Sequence, residues 1–204
     1  MKKLSIIIAM FMLAATTMFA SDHAKVGEKA PQFTLTDSKG VEHNLSDFAG
    51  KYVVLEWVNY DCPFVKKHYE SKNMQKLQKE FTEKGVVWLA VCSSAEGKQG
   101  NFSKEELMKR QKSLGTAETA YLLDESGKVG KMYNAKTTPD MAVINPAQEV
   151  IYLGAIDNIP SADKSDVDKA DNYVRNALYA AMSGKTVKVK SSKPYGCGVK
   201  YANK

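Results

Sequence analysis

Cysteine is scarce in this chain. Its 204 residues include three cysteines, three histidines and two tryptophans. Three cysteines exclude a dense disulfide framework, and the odd count leaves at least one thiol unpaired or engaged in chemistry. Histidines and cysteines do not cluster at ligand spacing: Cys62 and His68 stand as a single pair, which predicts no metal site. Residues 25–184 hold no internal repeat, low-complexity tract or linker, so they read as one domain. A basic stripe interleaved with aromatics is also lacking. The 29 Lys and Arg against 23 Asp and Glu give a net charge of +6. These lysines are scattered, as where Lys104, Lys109 and Lys112 sit among Glu105, Glu106 and Glu118. That distribution predicts no nucleic-acid partner.

Only one long uncharged, largely apolar run is present, over residues 4–19, behind Lys2 and Lys3 and ahead of the small residues Ala20 and Ser21. It is too short for a confident membrane span and has the layout of a secretory signal peptide over residues 1–20. The expected product is an exported domain over 25–184 with a basic tail over 185–204, without stable membrane association after cleavage. A free thiol in an exported protein meets oxidants, which directs attention to the cysteines.

Periodicity gives the element order. Residues 21–30 are polar and read as loose, and 33–36 and 41–45 as a hairpin around a turn at 37–40. The β-branched runs 52–58 and 86–91 read as strands buried on both faces. One helix is expected from Pro63 to about Lys84, with Val65, Tyr69, Met74, Leu77 and Phe81 on its apolar face. Ser103, with Glu106 three residues on, predicts a capped helix ending at Gly115. Residues 120–123 form a short strand, and 141–144 and 150–153 a hairpin. Ser165 is expected to cap a last helix running to Met182. The sum is an α/β fold with a mixed central sheet flanked by helices on both faces.

Cys62 falls where a buried strand gives way to a helix, the edge at which sites gather in open α/β sheets. The free N–H groups and positive end of a helix starting at Pro63 favour thiolate there, and the thiolate is the nucleophile. Lys66, Lys67 and His68 add positive potential and Asp61 opposes it. His68 could help deprotonate a thiol, but on a helix it is expected to be exposed or to cap a contact, and Trp57 and Trp88 are expected to lie in the core. Cys92 ends a strand, either as a packed core cysteine or as a substitute resolving thiol. Cys197 lies between glycines in the tail, either incidental to a disordered end or able to reach Cys62. Tyr195 and Tyr201 flank it, to dock the tail or to lie in solvent.

Four segments carry a family likeness: EWVNYDCPFVKKHY over 56–69, KTTPDM over 136–141, GAID over 154–157 and PYGCGVKY over 194–201. With the opening VGEKAPQFTLTD over 26–37, the chain resembles the thioredoxin superfamily. More narrowly, it is similar to its exported peroxiredoxin-like subgroup, the redoxin and alkyl hydroperoxide reductase–thiol-specific antioxidant proteins. The resemblance implies a thioredoxin-like fold with a four- or five-stranded sheet, a cis Pro139 facing Cys62, and a redox role for Cys62. It also implies a bacterial periplasm as the compartment and no organic cofactor. Cys197 would resolve Cys62 as the C-terminal cysteine does in two-cysteine peroxiredoxins. Asn59 and Pro63, with Thr138 and Pro139 opposite, would position the substrate.

The chain departs from both parent patterns. Val65 stands where a thioredoxin has its second cysteine. Leu55 and Asn59 stand where a peroxiredoxin has its proline and its threonine or serine. Arg110 and Arg175 are the only arginines, and neither is at the matching place. The expected function is peroxide reduction by Cys62 with Cys197 resolving and an external thiol as electron donor. One alternative is exchange with disulfides of other exported proteins. A second, of another class, is a non-catalytic binding module stapled by Cys62 and Cys197.

Overall fold

The computed structural model describes residues 23–202, so the expected signal peptide lies outside the described residues. The chain begins with β1 (Thr34–Asp37), β2 (Glu42–Asn44), a 3-10 turn (Leu45–Phe48) and β3 (Val53–Trp57). Helices α1 (Pro63–Glu70) and α2 (Asn73–Thr82), strand β4 (Val87–Cys92), α3 (Lys104–Leu114), β5 (Ala120–Leu123) and α4 (Lys128–Met132) follow. Then come β6 (Thr137–Thr138), β7 (Asp140–Ile144), β8 (Val150–Gly154), a second 3-10 turn (Lys164–Lys169), α5 (Tyr173–Met182) and β9 (Cys197–Gly198).

Seven strands form one mixed sheet in the order β2-β1-β5-β4-β3-β7-β8. The runs β3 and β4 are buried at every residue and pair in parallel from Val53↔Val87 to Trp57↔Val91, as continuous apolar strands require. Successive side chains of β3 feed opposite cores. Val54 joins Met74, Leu77, Phe81, Trp88, Val174 and Leu178 on one face, while Val53, Leu55 and Trp57 join Leu89, Val129 and Tyr133 on the other. The sheet is wider than the four or five strands expected, because the β1–β2 hairpin docks on β5 through Thr36↔Leu123.

Three further expectations are corrected, and one helix is added. Residues 24–30 are pinned, with Ala24 N donating to Met132 O, Gly27 N to Val150 O and Ala30 N to Gln148 O. The single helix over 63–84 is two helices, broken where Lys72 adopts φ 62. The apolar spacing survives the break because both halves pack on the same core. The last helix starts at Tyr173, capped by Asn172, whose side chain accepts from Arg175 N at 2.8 Å. The preceding stretch buries no residue and stays 3-10 under an Asp163 cap. The added helix, α4, has only five residues, too few to show a period.

Lys72 offers a direct check. A lysine in the left-handed region costs about 1 kcal/mol relative to glycine. Lys72→Gly is therefore expected to raise stability by about 0.5–1 kcal/mol, read as a higher urea midpoint at unchanged m-value. A lower midpoint would mean that the Lys72 Nζ bond to Leu114 O, 3.3 Å, outweighs the backbone strain.

The tail is docked at several points between Lys190 and Tyr201. Leu153 N donates to Lys190 O and Ser192 N to Leu153 O, covering the outer edge of β8. Gly154 allows that approach, since a Cβ there would come within 2.2 Å of Ser192 O. Farther on, Val199 N donates to Lys136 O and Ala95 N to Lys200 O. Tyr201 lies against Gly127 and Gly130 and donates to Ala135 O at 2.8 Å.

Candidate active site

The loop after β3 is shaped by Asn59. Its Oδ1 accepts from Asp61 N at 3.0 Å and its backbone carbonyl from Cys62 N at 2.9 Å, a turn that delivers Cys62 to the N-cap of α1. Asn59 Nδ2 is itself spent on Gln99 O at 3.3 Å. Pro63 takes the first helical position, where its missing N–H is not needed. The Cys62 side is thus prepared by local sequence.

The opposite wall is tertiary. The Thr138–Pro139 bond is cis, and Thr138 O accepts from Cys62 Sγ at 3.0 Å. Strand β9 then pairs antiparallel with β6, setting Cys197 across from Thr138. Cys62, Thr138 and Cys197, widely separated in sequence, meet at one point. Cys62 is wholly buried beneath the tail, whereas Cys197 is partly exposed.

The two thiols titrate apart. Burial pushes Cys62 up. The Cys197 thiol, the Thr138 side chain and the backbone N–H groups of Val65 and Cys197 outweigh it, leaving Cys62 below the ordinary thiol range. The Thr138 hydroxyl is buried without a hydrogen-bond partner among the described residues. Burial, and then the negative sulfur of Cys62, push Cys197 up to about 11. Cys62 is thereby the more acidic of the two thiols and Cys197 the less acidic.

Two groups that the sequence places elsewhere belong to this neighbourhood. Arg110 NH1 binds Asp61 Oδ1 at 2.7 Å, its Nε binds Glu106 Oε1 at 2.7 Å, and its guanidinium lies 4.1 Å from the Phe102 ring. It pairs with the carboxylate next to Cys62 through Nη1 and with Glu106 through Nε. His68 is fully buried, contrary to the exposed position expected, and burial followed by the charge of Lys67 depresses its pKa to about 3. The ring is neutral. Trp57 and Trp88 lie in the core as expected. Cys92 is packed in the core, donates to Gly100 O at 3.3 Å, and is pushed up by burial. Among the described residues, no group of three or more His, Cys, Asp or Glu could hold a metal ion. No helix among them is long and apolar enough to cross a membrane.

Comparison with known proteins agrees with this geometry. The Redoxin family profile matches residues 25–171. The thiol-disulfide oxidoreductase ResA of Geobacillus kaustophilus is 29% identical over 126 residues, covering 56% of this chain and 72% of the relative. ResA of a Bacillus cereus strain is 31% identical over 126 residues, covering 54% and 72%. The crystal structure of an uncharacterized conserved protein from Geobacillus kaustophilus superposes with a TM-score of 0.74 at 28% identity, covering 88% of this chain and 94% of that one. With a thioredoxin-like α/β sheet and a polarised thiol at its edge, the chain belongs to the Redoxin family of thiol-based oxidoreductases.

Proposed function

We propose that this protein is an exported thiol-disulfide oxidoreductase acting on protein disulfides, with Cys62 as nucleophile and Cys197 of the same chain as resolving thiol. The observation that carries this reading is the register Thr138↔Cys197, which holds the second thiol on the first without a CxxC motif. The Cys62 thiolate attacks a substrate disulfide, forming a mixed disulfide and releasing one substrate thiol. Cys197 then attacks the Cys62 sulfur, closing Cys62–Cys197 and releasing the second thiol. An external thiol donor reopens the bond at the more exposed Cys197 sulfur, and Cys62, the more acidic thiol, is the better leaving group.

Peroxide reduction, the first expectation from sequence, gives way to its alternative on two grounds. The named relatives are thiol-disulfide oxidoreductases. No arginine stands at the place from which a peroxiredoxin polarises its peroxide, and Arg110 is instead paired with Asp61 and Glu106. Asn59, expected to hold substrate oxygens, has its side chain committed to the loop.

The deciding experiment treats the reduced protein, in parallel, with a disulfide-bonded protein and with one equivalent of hydrogen peroxide, followed by alkylation and mass mapping of the three cysteines. Loss of two thiols as a Cys62–Cys197 link, faster with the protein disulfide, is the expected result. A faster reaction with peroxide would restore the peroxidase reading. Three alkylated thiols in both arms would leave a non-catalytic binding module.

A further inference from the structure

A second feature of the docked tail lies outside the thiol pair. Tyr195 inserts its ring between Phe64 and a buried charged cluster on α1 and the loop after β8. Its hydroxyl donates to Asp157 Oδ1 at 2.5 Å and lies 3.5 Å from His68 Nε2. Asp157 Oδ2 lies 3.7 Å from Lys67 Nζ and 3.8 Å from His68 Nε2. All three side chains are at least nine-tenths buried. Lys67 Nζ also donates to Ile159 O at 3.0 Å and lies 5.6 Å from the Tyr195 ring centroid. The Phe64 ring meets that of Tyr195 edge-on at 5.9 Å.

Such a cluster is costly to bury and adds no apolar contact to the core. Its geometry answers to one occupant. An aromatic body fills the space against Phe64 and over the ammonium, and a hydroxyl at the far end meets the carboxylate. Asn73 donates to His68 Nδ1 at 2.8 Å, so the neutral ring keeps its proton on Nε2, facing the same point. A phenylalanine in this pocket would leave Asp157 Oδ1 without its charge-assisted bond from the phenol, and sites built around such a bond reject the analogue lacking it.

The next two positions are read as well. Gly196 has φ 141, and a Cβ there would come within 2.1 Å of Thr138 O, so only glycine passes. Cys197 follows opposite Thr138, and the backbone of β6 takes up an extended segment by main-chain pairing. Cys62 has no exposure beneath this segment, so a macromolecular substrate reaches the sulfur by taking the tail's place.

Resting on the thiol-disulfide reading above, we propose that the Cys62 site selects extended polypeptide segments of the pattern Tyr-Gly-Cys, the phenol hydroxyl read by Asp157 with Lys67 and His68. The tail is the intramolecular instance of that pattern, and the partner class is a polypeptide presenting the same three residues around its reactive disulfide.

The test uses full-length Cys197→Ser protein and symmetric disulfides of the peptide Pro-Tyr-Gly-Cys-Gly-Val and of versions with Phe for Tyr or Ala for Gly. Attack by Cys62 yields one protein–peptide disulfide and one released peptide thiol, both counted by mass. The serine-bearing tail competes equally with every peptide, so rate ratios report selection. The Tyr-Gly-Cys peptide is expected to react about tenfold faster than either altered peptide. Asp157→Asn in the same background is expected to erase the Tyr-over-Phe preference. Equal rates for all peptides, or reaction with glutathione and with no peptide, would overturn the selection. Failure with glutathione as well would overturn the disulfide-exchange reading itself. Should Asp157→Asn not fold, the peptide comparison on Cys197→Ser still decides.

Discussion

Cys197→Ser is expected to stop turnover on a protein disulfide while leaving the first chemical step in place. The serine hydroxyl can still donate to the Cys62 sulfur, and the Thr138 hydroxyl and the Val65 N–H are untouched, so the nucleophile stays acidified. A mixed disulfide between Cys62 and substrate should accumulate to about one per chain. Release then depends on external thiol instead of a thiol tethered at millimolar effective concentration. With micromolar external thiol, turnover should fall about 10³-fold. Cys62→Ser, in contrast, should form no adduct. Mass spectrometry of the quenched reaction separates the two. Unchanged turnover in Cys197→Ser, with no trapped adduct, would remove Cys197 from the cycle and return Cys92 to consideration. The cost of opening Cys92 would then need explanation, because it is buried and hydrogen-bonded to Gly100 O.

The second large effect concerns Glu56, a carboxyl buried at full depth in the middle of β3. Burial pushes its pKa to about 7 against hydrogen bonds from Trp88, Tyr69 and Gln78. Tyr69 OH donates to Oε1 at 2.8 Å, Trp88 Nε1 to Oε2 at 2.8 Å and Gln78 Nε2 to Oε2 at 3.2 Å. An acid whose pKa is higher in the folded than in the unfolded state favours folding fully below its unfolded value. That advantage is lost as pH rises through the folded value. For Glu56 the window runs from its ordinary 4.5 up to about 7, and Asp140, raised from 3.8 to about 6 first of all by burial, adds its own loss between those two values. The Glu56 term amounts to about 3 kcal/mol by pH 8.

Glu56→Gln keeps the shape: its carbonyl can accept from Trp88 and Gln78 while its amide donates to Tyr69. Urea unfolding at pH 5 and pH 8 is the check. The wild-type protein should lose about 2.5 kcal/mol more than Glu56→Gln between the two. Parallel losses would show that Glu56 is already ionised in the folded protein at pH 5.

Much of this was readable from the chain alone, for identifiable reasons. The buried strands β3 and β4 announce themselves because β-branched runs without polar interruption suit only an interior sheet. Cys62 at a strand-to-helix junction, followed by Pro63, marks a thiol at a helix N-terminus, since both signals are local in sequence. Gly115 and Ser103 bracket α3 by the same local logic: the Ser103 hydroxyl accepts from Glu106 N, and Gly115 takes φ 67. Even the break at Lys72 is understandable as a miss, because the apolar spacing of α1 and α2 runs through it and a lysine gives no warning of a left-handed backbone.

What the amino-acid order determined unaided was the fold class and the candidate thiols, Cys62 and Cys197. Helical and strand periods, caps and the Cys-Pro junction depend on neighbours a few residues apart. The tertiary structure alone decided that Cys197 is the thiol set against Cys62, and that Arg110 pairs with Asp61. It also decided that Lys67 and His68 form a buried pocket with Asp157 for Tyr195. Those contacts join residues as far apart as His68 and Tyr195, 127 positions along the chain. Over such a span no local preference selects the partner. The choice is made when the tail pairs with β6 and excludes water from charges that would otherwise have faced it.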